Sequence, residues 1–349
     1  MKACGWMAVA AVVSCLALGC QGETSGSESA SSGDSASPQK LTVGIVFDSG
    51  GRGDKSFNDS AWAGVERAVS ELGAEARPVE SKNDKDYEAN LEALAEQNTD
   101  IVFAIGYKMA RALEDVAKRY PNVKFAIVDE TVDLPNVRSL KFREEQGSFL
   151  AGYLAGLMTE TNKIGFVGGM EGDLIKKFEV GYMAGAKTAN PNIEILPAKY
   201  IASWDNVDKA KTAANVLFKS GADVVYHAAG RAGLGVIMAA KDAGKYAIGV
   251  DSDQDYLAEG NVLTSMIKRV DNAVFTTAKS VKNGTFAAGV DVYGLAEGGV
   301  DLSEMRFTRD KVGPERLAKI AEISKKISDG ELAVPATQAE YDAYVAALR

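Results

Sequence analysis

The stretch Leu41-Thr-Val-Gly-Ile-Val-Phe47, followed by Asp48-Ser-Gly-Gly-Arg-Gly-Asp-Lys-Ser-Phe-Asn58, decides the fold. Its first seven residues form an apolar, β-branched run with almost no polar interruption, as in a strand buried on both faces of a parallel sheet. The next eleven can continue neither strand nor helix, because three glycines let the backbone turn and approach other groups closely. A helix starting at Ser56 or Asn58 then carries Trp62, Val65 and Val69 on one side. Asp48, Asn58 and the Phe57 ring are thus presented at the carboxyl end of a first β-strand, where open α/β sheets bind ligands. The alternative for Phe57 is a staple packed back on its own helix. A phosphate-binding loop is excluded: that motif needs Gly-Lys-Ser, and Asp54 stands between Gly53 and Lys55. Arg52-Gly53-Asp54 also spells an integrin-type tripeptide, a triplet that arises readily by chance.

Outward from this unit, buried strands alternate with helices. Strands are expected at Ala76–Glu80, Asp100–Ile105, Lys124–Val128, Val137–Phe142, Lys163–Val167, Ile193–Ile201, Asp223–Tyr226, Ala247–Val250 and Val262–Ile267, with one more near Val290–Leu295 and two helices in the tail. Between Val137–Phe142 and Lys163–Val167, the helix Glu145–Met158 carries Ala151, Gly152, Ala155 and Gly156, small residues suited to close packing. Such alternation means parallel βαβ units. The repeats are too uneven for a barrel of eight equal units, and the strands too many for one ordinary sheet. Two doubly wound lobes fit.

The amino terminus reads differently. Met1-Lys2 precedes an apolar run from Trp6 to Leu18, too short to span a bilayer but suited to a secretory leader. It ends Leu16-Ala-Leu-Gly-Cys20, similar to a bacterial lipobox with the leucine one place early, so residues 1–19 are expected to be a lipoprotein signal peptide and Cys20 the lipidated residue. Residues 20–40 then form a tether of small and polar residues that cannot bury a core. All three cysteines (Cys4, Cys15, Cys20) lie in or at the end of the leader, which leaves no disulfide, cysteine nucleophile or zinc–cysteine site beyond it. The formal charge of −9, without a basic stripe, argues against nucleic-acid binding.

Candidate functional residues share one position, just past a buried strand: Asp48, Asp129, Trp204, Gly230, Asp251 and Lys268. If two lobes face each other, these strand ends converge. Ionised aspartates only accept hydrogen bonds, so they suit a neutral ligand rich in hydroxyl or N–H donors and disfavour phosphate. Phe57 and Trp204 can clamp a flat ring, a contact worth ~1–3 kcal/mol where bases stack on aromatic side chains. A nucleoside or a similar ring-plus-polyol fits. The competing readings are a helix cap or solvated turn for Asp129, a surface ring beside a capping Asp205 for Trp204, and metal binding at Asp251 and Asp253, which no histidine or ligand spacing supports. Gly230-Arg-Ala-Gly-Leu-Gly235 departs from the dinucleotide fingerprint. His227, the single histidine, ends a strand and suits a packed, hydrogen-bonded role. No catalytic triad or metal cluster emerges, so the chain is not expected to be an enzyme or to carry a cofactor.

Asp48-Ser-Gly, Asp54-Lys-Ser-Phe-Asn58, Gln146-Gly-Ser-Phe-Leu-Ala-Gly152, Gly168-Gly-Met170, Phe178-Glu-Val-Gly181, Ile248-Gly-Val-Asp-Ser-Asp-Gln254 and Leu263-Thr-Ser-Met-Ile-Lys-Arg269 together resemble the basic membrane protein family, bacterial substrate-binding lipoproteins that include the PnrA-like purine nucleoside receptors. The resemblance covers Leu41 to Val334. It implies a type I periplasmic-binding-protein fold, two lobes joined by a three-segment hinge, with lobe 1 at 41–142 and 270–287 and lobe 2 at 143–269 and 288–349. It implies a purine nucleoside ligand (guanosine, adenosine or inosine), an ABC permease and ATPase as partners, and a lipid-anchored place on the cell membrane facing periplasm or exterior. Carried over by motif, Phe57 and Trp204 would sandwich the base, Asp48 and Asn58 would bond its edge, and Asp129, Gly230, Asp251 and Lys268 would hold the ribose. Trp204, where phenylalanine is common, Arg231 and Lys108 depart from the family pattern. A nucleoside-processing enzyme, a surface signalling or adhesin lipoprotein, and a receptor for another ring-plus-polyol are the alternatives.

Overall fold

β1 (Thr42–Phe47) forms where its composition places it, fully buried from Val43 onward. A computed structural model describes residues 40–348; the expected signal peptide, Cys20 and the tether up to Gln39 lie outside the described residues. From β1 the chain runs through α1 (Phe57–Leu72), β2 (Glu75–Glu80), α2 (Tyr87–Glu96), β3 (Ile101–Ile105), α3 (Ala110–Arg119), β4 (Lys124–Val128) and β5 (Val137–Phe142). These strands are parallel and lie in the order β2-β1-β3-β4-β5. Both faces are covered. Val46, Val102 and Ile127 pack with Leu91 and Leu113 on one side, and Ile45, Phe47 and Phe103 with Ala61 and Val65 on the other.

The second lobe repeats the plan with α4 (Glu144–Met158), β6 (Lys163–Gly168), α5 (Asp173–Ala189), β7 (Glu194–Ile195), β8 (Lys199–Tyr200), α6 (Val207–Lys219), β9 (Val224–Ala228), α7 (Leu234–Ala243), β10 (Tyr246–Asp251) and β11 (Val262–Lys268). β7 and β8 flank β6 on one side, and β9, β10 and β11 follow on the other. The single strand expected over Ile193–Ile201 is two short ones, because Pro197 cannot donate to the ladder. The small residues of α4 permit close contact with α5: a methyl group at Gly152 would overlap the Tyr182 carbonyl oxygen.

The chain crosses between the lobes three times. β5 leads into α4, β11 leads into α8 (Val270–Lys282), and β12 (Gly289–Tyr293) leads back to β13 (Val300–Leu302). The crossings bond to one another, with Arg143 N–H donating to Tyr293 O (3.0 Å) and Arg269 N–H to Gly299 O (2.8 Å). β12 pairs in parallel with β5, at the edge of the first sheet. The boundary expected at 288 is therefore displaced: Gly289–Tyr293 belongs to lobe 1. Arg138 and Asp291 fix that pairing through two hydrogen bonds of 2.6 and 3.0 Å. β13 pairs antiparallel with β11, and α9 (Arg309–Ser328) and α10 (Gln338–Ala347) complete lobe 2. Among the described residues no helix is long and apolar enough to cross a membrane.

Candidate functional site

Each sheet has one strand, β1 or β6, from which the order runs both ways, and at such switch points the loops at the carboxyl edge diverge and leave a crevice. The two crevices face each other across the hinge. Between them lies a cavity enclosing ≈ 670 Å³ of space, its open mouth included. All eight residues singled out from the sequence line it: Asp48, Phe57, Asn58 and Asp129 from lobe 1, and Trp204, Gly230, Asp251 and Lys268 from lobe 2 or the hinge.

On the lobe 1 side, Asp48 Oδ1 accepts from Asn58 Nδ2 and from Gly50 N–H, both at 2.9 Å. Burial pushes its carboxyl up to about 6, although both hydrogen bonds favour the charge. Asn58 Oδ1 is buried with no hydrogen-bond partner in the protein. Asp54 turns its carboxylate back onto the first turn of α1, accepting from the N–H groups of Ser56, Asn58 and Asp59 at 2.9–3.1 Å. Those donors are the ones a phosphate would use at a helix N-terminus, so the loop is closed to anions by its own side chain. Phe57 is half-buried and faces the cavity.

At the hinge, Lys268 is 1% exposed. Its ammonium lies 2.6 Å from Asp129 and 3.1 Å from Glu144, and 5.0–5.7 Å from the ring centroids of Phe142, Phe57 and Phe178. Burial alone would lower its pKa; Asp129, Glu144 and Asp251 outweigh that and hold it above the ordinary lysine value. Asp129 and Asp251, at the ends of β4 and β10, both adopt left-handed backbone (φ 74° and 66°), a conformation that costs a non-glycine residue and concentrates at binding sites. Asp251 accepts from Ser56 Oγ across the cleft. Burial pushes its carboxyl up to about 7, against the pull of Lys268 and Ser56.

Trp204 is half-buried and follows β8 on the lobe 2 side. Asn206, not Asp205, caps α6, accepting from Lys209 N–H at 2.9 Å. The Trp204 ring lies directly over Gly169. Gly169→Ala would drive a methyl group into that rigid ring. The expected result is a displaced Trp204 and an altered tryptophan emission spectrum, with the melting temperature nearly unchanged. An unaltered spectrum would show that the ring does not rest there.

Other groups at or beside the cavity carried no assigned role in the sequence. Phe178 was visible only within a motif. Glu144, one residue ahead of the helix expected over Glu145–Met158, was not singled out, yet it is 1% exposed. Lys108 lines the cavity but pairs with Asp84 at 3.0 Å. Arg231 reaches across the mouth to Arg52 O at 2.8 Å. His227 is buried and bonded to Gln254 at 3.1 Å, and burial lowers its pKa to about 4. Asp253 pairs with Arg306, and among the described residues no acid, histidine or cysteine cluster is placed to hold a metal.

Residues 41–338 match the family described as "ABC transporter substrate-binding protein PnrA-like", Bmp. A CD4+ T-cell-stimulating antigen of Listeria innocua is 40% identical over 336 residues, covering 89% of this chain and 92% of that protein. An "ABC transporter nucleoside-binding protein BmpA" of Lactococcus lactis is 37% identical over 318 residues, covering 84% of this chain and 89% of that one. The crystal structure of an ABC transporter solute-binding protein from Aeropyrum pernix superposes with a TM-score of 0.77 at 29% identity, over 87% of this chain and 96% of that chain. The two-lobed fold is thus that of the type I periplasmic-binding proteins, and the chain belongs to the PnrA-like substrate-binding proteins of ABC transporters, the Bmp family.

Proposed function

We propose that this chain is the receptor of an ABC importer and closes its lobes on a purine nucleoside, which it passes to a membrane permease driven by an ATPase. The observation that carries the reading is the composition of the cavity. Two aromatic rings on opposite lobes, Phe57 and Trp204, share it with Asp48, Asp129 and Asp251, while Asp54 occupies the nearest anion site. A neutral, flat ring with hydroxyl and N–H donors matches these walls. Phe57 and Trp204 take the faces of the base. Asp48 and the free Asn58 Oδ1 accept from its polar edge. Asp129, Asp251 and Lys268 hold the ribose hydroxyls, with Gly230 giving them backbone room. The name of the Lactococcus lactis relative supports a nucleoside ligand. A lipid at Cys20 would tether the receptor beside its permease.

Calorimetric titration with guanosine, inosine, adenosine and uridine tests this. Binding of at least one purine nucleoside, tighter than uridine, is expected; four flat titrations overturn it.

A pH dependence follows from Asp251 at about 7 and Asp48 at about 6. Ligand hydroxyl and N–H donors need both carboxylates ionised. Affinity is therefore expected to be constant above pH ~8 and to fall roughly tenfold per unit for each group below its pKa. Folding responds with the opposite sign. Both carboxyls are raised above the unfolded ~3.9, so the folded chain holds the extra protons. Their stabilising contribution is complete below that value and is lost as pH rises through 6 and 7. Titrations between pH 5 and 8.5 that show one constant affinity would remove these two groups from the contact.

A further inference from the structure

The glycine-rich loop after β1 carries Phe57 and Asn58, but lobe 1 does not hold it alone. Three of its carbonyl oxygens each accept from a lobe 2 side chain. Arg231 Nη2 donates to Arg52 O at 2.8 Å, Gln254 Nε2 to Lys55 O at 2.9 Å, and Ser252 Oγ to Ser56 O at 3.0 Å. Lys55 is in the left-handed region (φ 59°), a strained conformation that persists only where surroundings enforce it.

Gln254 is itself locked. It is fully buried, and its Oε1 accepts from Val250 N–H at 3.0 Å and sits 3.1 Å from His227 Nε2. Its own N–H donates to Ser265 Oγ at 2.9 Å. With Oε1 so occupied, Nε2 must point out of lobe 2, towards the Lys55 carbonyl. Neither Gln254 nor Ser252 lines the cavity.

We propose that Arg231, Ser252 and Gln254 form a latch that grips the backbone of the base-clamping loop, so that closure and the setting of Phe57 are one event. They are positioning residues. Because these three acceptors are backbone carbonyls, the three donors act whatever side chains the loop carries, separately from the tie that Ser56 Oγ makes to Asp251. Removing donors weakens the closed state alone, so a ligand held by it escapes faster while first encounter is unaffected.

The test uses the full chain with Gln254→Met and, separately, the pair Arg231→Met with Ser252→Ala. Small-angle scattering and hydrogen–deuterium exchange need no ligand. A larger radius of gyration and faster exchange of amides 52–57 are expected for both variants. With guanosine as probe, dissociation is expected to be about tenfold faster for both variants, with the association rate unchanged for Gln254→Met, whose side chain does not line the cavity. Gln254→Met also leaves Val250 N–H without its acceptor. If its melting transition is lost, the Arg231/Ser252 pair, which leaves the Gln254 hydrogen bonds in place, decides. Scattering and exchange equal to the parent's overturn the proposal. A parent that binds no guanosine bears on the nucleoside reading instead, and the ligand-free comparison still decides the latch.

Discussion

Lys268→Met is expected to destabilise the folded chain by about 3–5 kcal/mol at pH 7.5, the usual cost of breaking a buried ion pair from one side. The methionine fills much of the same volume, so the loss is electrostatic. Asp129 and Glu144 remain, 5% and 1% exposed, with their shared counter-charge gone. Lys177, 3.5 Å from Glu144, compensates only in part. Burial already raises the Asp129 carboxyl, and without the lysine it is pushed further above its unfolded value and takes up a proton. Stability of the variant is therefore best in acid and is lost as pH rises. Urea unfolding at pH 5 and pH 7.5 reads both effects, and adding Glu144→Gln should recover part of the loss by removing one uncompensated charge. A single-variant loss under ~1 kcal/mol at pH 7.5 would mean that water already reaches this site and that the ammonium does not hold the hinge together. The location explains the stake: Asp129 ends β4 of lobe 1, Lys268 ends β11, and Glu144 opens α4, so the triad ties a lobe to two of the three crossings.

The same residues show what can be read from sequence. Asp48, Asp129, Asp251 and Lys268 were legible because each follows an apolar run that can only be a buried parallel strand, and parallel sheets present function at that edge. Glu144 was not legible. It precedes another acid in the first turn of a helix, the place where solvated acids favour the helix dipole, and only its contact with a lysine more than a hundred residues away distinguishes it. The membership of β12 was hidden for a similar reason. Val290-Asp-Val-Tyr293 is a short edge strand with two exposed valines; nothing local says which sheet it joins, and the Arg138–Asp291 pair that decides it spans distant segments. The Arg231 and Gln254 contacts are likewise properties of the closed arrangement of the lobes, not of either lobe's own pattern.

Phe57→Ala is expected to weaken purine nucleoside binding by at least tenfold while leaving the melting temperature of the unliganded chain almost unchanged. The two halves of that expectation have separate causes. Stacking on an aromatic ring contributes ~1–3 kcal/mol per base, and roughly 1.4 kcal/mol is a factor of ten. The ring is half-buried and faces the cavity, so its loss opens little core. The start of α1 does not depend on it, because Asp54 caps those N–H groups. Trp204→Ala is expected to act in the same direction from the other lobe. The two losses should be less than additive if both rings grip the same base, since a base freed on one face shifts against the other. Titration of the parent, both single variants and the double variant with one purine nucleoside measures that coupling. Fully additive losses would place the two rings on different parts of the ligand, and no loss in either variant would leave the aspartates to bind a solute with no aromatic ring.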